Sequence, residues 1–293
     1  MTQHSDRGSF FRSRKFTDFA TVKEALIARE IGATFMLAPM AMRLRQDGVP
    51  VKIVYLGHRD GTALVVGTDS PIHDVRDLAG KICAIPSRFS NQNLLMHRLM
   101  KDAGMPFGSI DLREVPPPEH PSALRSKSID AYIVGEPFAA QSQVDGYGRV
   151  LHYTKDIWPN FISCVLVVHE DLILEDRTIA QELVDGIAKS GKWLDQGDDG
   201  GLDHRMQAAE VTAKHYYFQD PELLKYVLSK PMDRVRYTQL APLEADFDEI
   251  MELAVEVGIL EGPIAFEEYV DDSFVRPLDT IDWGLEHLPR MPE

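Results

Sequence analysis

The chain of 293 residues predicts an α/β fold in which two lobes surround a cleft and helices are added toward the C-terminal end. Three observations carry that expectation. Short apolar, β-rich runs alternate with helical segments as far as His169, the pattern of a parallel sheet covered by helices. From about Thr178 onward the apolar spacing becomes helical. The early part also repeats at a constant offset of 98 residues, which superposes Ala25-Leu26 on Ala123-Leu124, Ile31 on Ile129, Ala33 on Ala131, Pro39 on Pro137, Ala41 on Ala139 and Tyr55 on Tyr153. Two copies are too few for a solenoid but fit two similar lobes. Open sheets bind ligands beyond the carboxyl ends of their strands, so facing lobes would line one cleft.

The elements follow in order. Thr21-Val-Lys-Glu24 has the spacing of a capping box and opens a helix to about Glu30. Residues 34–38 read as a buried strand, Pro39 starts a helix to about Gln46, and 51–57 read as the next strand. Strands are expected again at 63–67 and 81–86. The polar run 87–92 then opens a helix whose Leu94, Leu95, Leu99 and Met100 recur at helical spacing. A strand at 110–115, the break Pro116-Pro117-Pro118, a helix at 122–126 and strands at 129–134 and 163–169 complete the alternation. Helices are expected at 178–194, 204–218, 221–229 and 244–257. Residues 1–67 would form the first part of lobe I, 68–163 lobe II, and 164–293 the return to lobe I with the helical region.

Composition removes several function classes. With 31 Lys+Arg against 46 Asp+Glu the formal charge is −15, which opposes binding to nucleic acid or an anionic leaflet. The longest apolar stretches reach strand length only, well short of the roughly 18 residues of a membrane span. The first sixteen residues, MTQHSDRGSFFRSRKF, show no apolar core of an export signal. Cys83 and Cys164 sit inside apolar runs, as buried small hydrophobes do, and Met40/Met42 and Tyr216/Tyr217 read as core contacts. Sequence signatures of zinc peptidases, serine hydrolases, P-loops and dinucleotide sites are missing, as is metal-ligand spacing, so neither a cofactor nor a metal is expected. Gly197 to Gly201 is acidic but reads as a connection between helices.

Four turns hold candidate chemistry. In the loop from Pro86 to Asn93, Ser87, Arg88, Ser90, Asn91 and Gln92 follow a strand and open a helix, where free N–H groups and the helix dipole favour a small oxyanion. The competing reading makes Ser90 or Asn91 a helix cap and Arg88 a solvated charge. Gly135-Glu136-Pro137 ends a strand in the second copy: Gly135 allows close approach, and Glu136 would receive a ligand's donor, tie loops across the cleft or cap the helix that Pro137 begins. Its counterpart, Leu37-Ala38-Pro39, lacks the carboxylate and would supply backbone and shape. Gly57, His58 and Arg59 end another strand and would donate to an anion or form a surface turn closed by Asp60-Gly61. His120 is a further candidate donor, and Trp158 either packs at a hinge or closes over ligand.

The runs FTDFATVKEALIAREIGATFMLAPMAMRLRQDGVPVKIVYLGHRDG, DLAGKICAIPSRFSNQNLL, VPPPEHPSAL, IDAYIVGEPFAAQ and DIWPNFISCVLVV resemble, in order and spacing, the nitrate/sulfonate/bicarbonate substrate-binding proteins of ABC importers. The resemblance extends from about Phe16 to Phe274. It implies a type 2 periplasmic-binding fold, a monomer that closes on a small anionic or heterocyclic solute and hands it to an ABC permease and ATPase. Carried over by motif, the cleft would be edged by Leu37, Ala38 and Pro39, by Gly57 and His58, by Ser87 to Gln92, and by Gly135, Glu136 and Pro137. The resemblance also implies an export signal, a first strand and a ligand-facing helix ahead of Phe16, where fifteen residues stand here. A displaced start or a shortened chain with part of the cleft wall missing is therefore expected, and a periplasmic location unless the start is genuine, which would make it cytoplasmic. Two other functions compete: an enzyme on the same fold, similar to thiamine-pyrimidine precursor synthases or desulfinases, and a cytoplasmic ligand-sensing module.

Overall fold

The computed structural model describes residues 11–196, 200–215 and 219–276. The first helix, α1 (Phe19–Ile27), is capped by Asp18, whose carboxylate accepts from Thr21 N at 2.8 Å and also receives the Thr21 hydroxyl. Thr21 thus lies inside the first turn: the expected capping box does not form, and the cap moves three residues upstream to the Asp18 carboxylate. The helix stops short of Glu30 at Arg29, whose φ of 59° leaves the helical region. Then follow β1 (Ala33–Met36), α2 (Ala38–Gln46), β2 (Val51–Asp60), β3 (Thr62–Gly67), β4 (Ile82–Ile85), α3 (Asn91–Asp102), β5 (Asp111–Glu114), α4 (His120–Arg125), β6 (Ala131–Gly135), α5 (Phe138–Val144), β7 (Gly148–Tyr153) and α6 (Thr154–Ile157). The remaining elements are β8 (Ile162–His169), α7 (Glu170–Glu175), α8 (Arg177–Asp195), α9 (Leu202–His215), α10 (Pro221–Ser229), β9 (Val235–Arg236), α11 (Glu244–Glu256) and α12 (Phe266–Tyr269). Tyr216, Tyr217 and part of the acidic Gly197 to Gly201 run lie outside the described residues.

The strands form two sheets, one ordered β1-β8-β2-β9 and the other β5-β4-β6-β3-β7. The expectation of a parallel sheet holds only for β5, β4 and β6. β3 pairs antiparallel with β6 and β7, and every pairing of the first sheet is antiparallel. The reason is connectivity. β2 runs straight into β3 through the single residue Gly61, so β3 enters the second sheet without a helical crossover to reverse it. The chain changes sheet there and again between Tyr153 and Ile162.

β8 is the spine of the first sheet, with Val165, Leu166, Val167 and Val168 at most 2% exposed. Each fully buried aliphatic side chain of this kind contributes roughly 1.5–3 kcal/mol. Met40 and Met42 of α2 join the same core. Cys83 is fully buried in the second sheet, and no disulfide joins it to Cys164. No helix among the described residues is long and apolar enough to cross a membrane, and no group of three or more His, Cys, Asp or Glu is placed to hold a metal ion.

Candidate functional site

The two passages between the sheets lie side by side. Asp60 N donates to Phe161 O at 2.9 Å, the Thr154 hydroxyl donates to Thr62 O at 3.1 Å, and Arg59 Nη1 donates to Asn160 O at 2.8 Å. Gly61, with φ of 67°, is needed here: a Cβ on it would stand 3.0 Å from Val235 and 3.2 Å from the His58 ring. The tight turn is therefore Asp60-Gly61. The turn expected at 57–60 is strand instead, because β8 offers its backbone to β2 through His58↔Cys164 and Arg59↔Ile162. Gly57 permits this by leaving room for Cys164 Sγ and the Phe35 ring, which would lie 2.4 and 2.9 Å from a Cβ there.

Neutral polar groups from both sheets converge on these passages. Gln92 Nε2 donates to Thr62 Oγ1 at 3.2 Å, and Thr62 Oγ1 lies 3.4 Å from Ser163 Oγ. Asn91 Nδ2 donates to the Ile162 carbonyl. Gly135 is the register partner of Thr62, and a Cβ on it would face the two hydroxyls at 4.0 Å. Ser90 caps α3 by accepting from Asn93 N at 3.0 Å and donates to Ser87 O at 2.6 Å, while Ser87 Oγ accepts from Phe89 N. Capping thus occupies Ser87 and Ser90, and leaves the first-turn N–H groups of Asn91 and Gln92 without a side-chain cap. Leu37, Ala38 and Pro39 continue from Met36, which pairs with Val165, so they stand one strand over from Ser163 and are buried.

The Glu136 side chain is 5% exposed and its Oε1 lies 2.9 Å from Arg234 Nε, a contact of charges without hydrogen-bond alignment; Oε2 accepts from Ala140 N at 2.9 Å. Its backbone N–H donates to Gly61 O, and Gly61 N–H donates to Arg234 O, so the pair grips the first passage from both sides. Burial raises the Glu136 pKa from 4.5 to about 7, partly offset by Arg234 and the Ala140 N–H. Arg234 also donates to Gln143 Oε1 and the Tyr153 hydroxyl, both at 3.1 Å, and lies over the Tyr153 and Tyr226 rings. Of the readings open for Glu136, tying loops together and capping α5 are what the contacts carry. Arg236 pairs with Asp60 at 2.7 Å and Arg59 with Asp246 at 2.5 Å, so each cation beside the passages has a carboxylate partner.

Two other expected donors stand elsewhere. Arg88 is largely solvated and pairs with Glu114 at 3.0 Å. His120 is fully buried, edge-on to Tyr132, with Nε2 at 2.8 Å from Val115 O, and desolvation pulls its pKa down to about 4. His58 keeps part of its surface open, yet its Nδ1 is enclosed and burial lowers its pKa to about 4 as well, so it stands neutral beside Tyr237. Burial pushes the Cys164 thiol up to about 12 and the Cys83 thiol higher still. Trp158 is a packing residue of the second passage, 6% exposed, edge-on to Phe161 and under Arg98. Sequence reading missed Thr62, Ser163 and Arg234. Thr62 hid behind a turn signal and Ser163 at the head of an apolar run; Arg234 falls in a Pro-containing break with no periodicity.

Two α/β lobes, joined by paired passages with strand ends and a helix N-terminus converging on them, define the fold of periplasmic solute-binding proteins. The chain belongs to the NMT1-like family, whose profile matches residues 3–213. It is 23% identical over 221 residues to the nitrate import ATP-binding protein NrtC of Synechocystis, covering 69% of this chain. The chain spans about a third of that relative, 32% of its length. Among solved structures it is similar to a ligand-binding component of an ABC-type import system from Staphylococcus aureus, at 25% identity and TM-score 0.80 over 93% of this chain and 90% of that one. It is also similar to the periplasmic nitrate-binding protein NrtA of Synechocystis, at 14% identity and TM-score 0.77 over 88% and 77%. The desulfurization enzyme DszB shares the fold at 15% identity and TM-score 0.58 over 83% of each chain.

Proposed function

We propose that the protein is the solute-binding component of an ABC import system, which closes its lobes on a small oxyanion or sulfonate-like solute outside the membrane and presents it to a permease and ATPase. The observation that carries the reading is the convergence of Gln92, Thr62, Ser163 and Gly135, drawn from both sheets, on the passages where lobes would pivot. Hydroxyls and the first-turn N–H groups of α3 suit an oxyanion without a permanent counter-charge, and ligand-driven closure follows from contacts made by both lobes at once. A sulfinate-cleaving or other thiol enzyme on this fold calls for a thiolate, and the raised pKa values of Cys83 and Cys164 weigh against one. Calorimetry with nitrate, bicarbonate and ethanesulfonate tests the reading. One of them is expected to bind saturably, with affinity falling at least tenfold in Ser163→Ala or Thr62→Val. A folded chain silent toward all three, or binding indifferent to both variants, overturns it.

A further inference from the structure

A recess of about 310 Å³ lies between the second passage, the start of α3 and the first two turns of α11. Of the cleft candidates only Asn91 lines it. Its wall carries the amides of Asn91 and Asn160 and the carboxylates of Asp246 and Glu249, beside Trp158 and Ala245. Asn91 is fully buried; its Nδ2 is committed to Ile162 O, and its Oδ1 has no partner. Arg59 and Arg98 do not line the recess, and each holds one carboxylate oxygen, Asp246 Oδ2 and Glu249 Oε1. The second oxygen of each carboxylate carries no protein hydrogen bond among the described residues. A buried amide oxygen left unpaired is costly and calls for a donor.

We propose that this recess binds a small planar nitrogen cation, an amidinium or guanidinium, which donates to Asn91 Oδ1 and to the free oxygens of Asp246 and Glu249. Arg59 and Arg98 offset the charge of the two carboxylates, so recognition rests on the free oxygens that face a ligand and not on net charge; a planar multi-donor cation meets three separated acceptors where an ammonium meets them as a point charge. The two arginines lie outside the lining, so an anion in the recess would meet carboxylate oxygens before either guanidinium. α3 and α11 already pack together and are tied by Arg98–Glu249 and Lys101–Glu256, so such a ligand would brace that contact.

Calorimetry with acetamidinium chloride, against acetamide and sodium ethanesulfonate at matched ionic strength, tests this. Acetamidinium is expected to bind at least tenfold more tightly than acetamide. Glu249→Gln should weaken it about tenfold, and Ala245→Lys, an exposed position that places a cation at the mouth, should abolish it. Both changes sit on the exposed side of α11, so the variants remain folded, checked by unchanged melting. Ser163→Ala should leave acetamidinium binding intact, which separates this site from the cleft. Equal binding of acetamide, indifference to Glu249→Gln and Ala245→Lys, or loss in Ser163→Ala overturns the assignment.

Discussion

Leu37-Ala38-Pro39 and Gly135-Glu136-Pro137 occupy the same place in the repeated halves, each carrying a strand end into the helix that follows. They hold that place by opposite means. The first is apolar throughout and packs with Met36 and Met42 in the main core. The second buries a carboxylate that needs Arg234, far along the chain, to make its burial tolerable. The strand neighbours differ too: β6 lies between β4 and β3, whereas among the described residues β1 has β8 on one side only. Repetition thus sets the series of elements, and distant segments decide what each copy becomes. The C-terminal helical region is in part a device for neutralising the second turn.

Exchanging the residues between copies breaks the comparison most severely. Ala38→Glu places a carboxylate at a fully buried position in an apolar cluster, where it must stay charged and unpaired or take up a proton. The expected loss is about 4 kcal/mol or more at neutral pH, a fall in melting temperature of roughly 10 °C. Calorimetric melting at pH 7 checks it; an unchanged transition would mean that the first turn is far more accessible than its burial indicates.

The second turn titrates. Glu136 has a folded pKa of about 7 against 4.5 unfolded, so between those values the folded protein holds more protons and stability falls as pH rises, by roughly 3 kcal/mol in all. His58 and His120, held neutral, push the opposite way, because the unfolded chain takes up their protons as pH falls below the ordinary histidine range. Comparing wild type with Glu136→Gln cancels both histidines. Denaturant curves at pH 5 and pH 8 should show the wild type losing its advantage over the variant by about 2–3 kcal/mol at the higher pH. A pH-independent difference would show that Glu136 ionises as freely in the folded chain as outside it.

Sequence alone predicts most of the element series, and the reason is visible in particular residues. Pro39, Ser90 and the spacing of Leu94, Leu95 and Leu99 are local signals, and α2 and α3 form where they point. The helices expected at 178–194, 221–229 and 244–257 match α8, α10 and α11 to within a residue or so. What local signals miss is decided by partners at long range. β2 continues past Gly57 only because β8 pairs with it, and the strand directions follow from the one-residue passage at Gly61. Of the site, the start of α3 and the Gly135-Glu136 turn were legible as strand-to-helix junctions. Arg234 was not, since its role exists only once residues 98 positions upstream are folded against it, and Thr62 and Ser163 look like ordinary strand residues until the two passages meet.

The smallest expected effects come from two glycines, one from each sheet, that flank the same passages. Neither Gly57 nor Gly135 has a positive φ, so an alanine is not strained by backbone at either. Their surroundings differ. A Cβ on Gly57 meets Cys164 Sγ at 2.4 Å and the Phe35 ring at 2.9 Å, whereas one on Gly135 finds its nearest neighbour, Gly61 O, at 3.8 Å. Gly57→Ala should therefore cost about 1–3 kcal/mol as the thiol and ring are displaced, and adding Cys164→Ala should recover part of that loss. Gly135→Ala should leave melting unchanged or raise it slightly, since it restrains the unfolded chain by about 0.4–1 kcal/mol. Its methyl would nonetheless stand before Thr62 Oγ1 and Ser163 Oγ and weaken solute binding. Stability and affinity then separate at Gly135, whereas Gly57 reports on packing. If Gly135→Ala leaves affinity for every tested oxyanion and sulfonate untouched while Ser163→Ala weakens it, the solute lies on the first-sheet side of the passages and the second turn serves only to hold them.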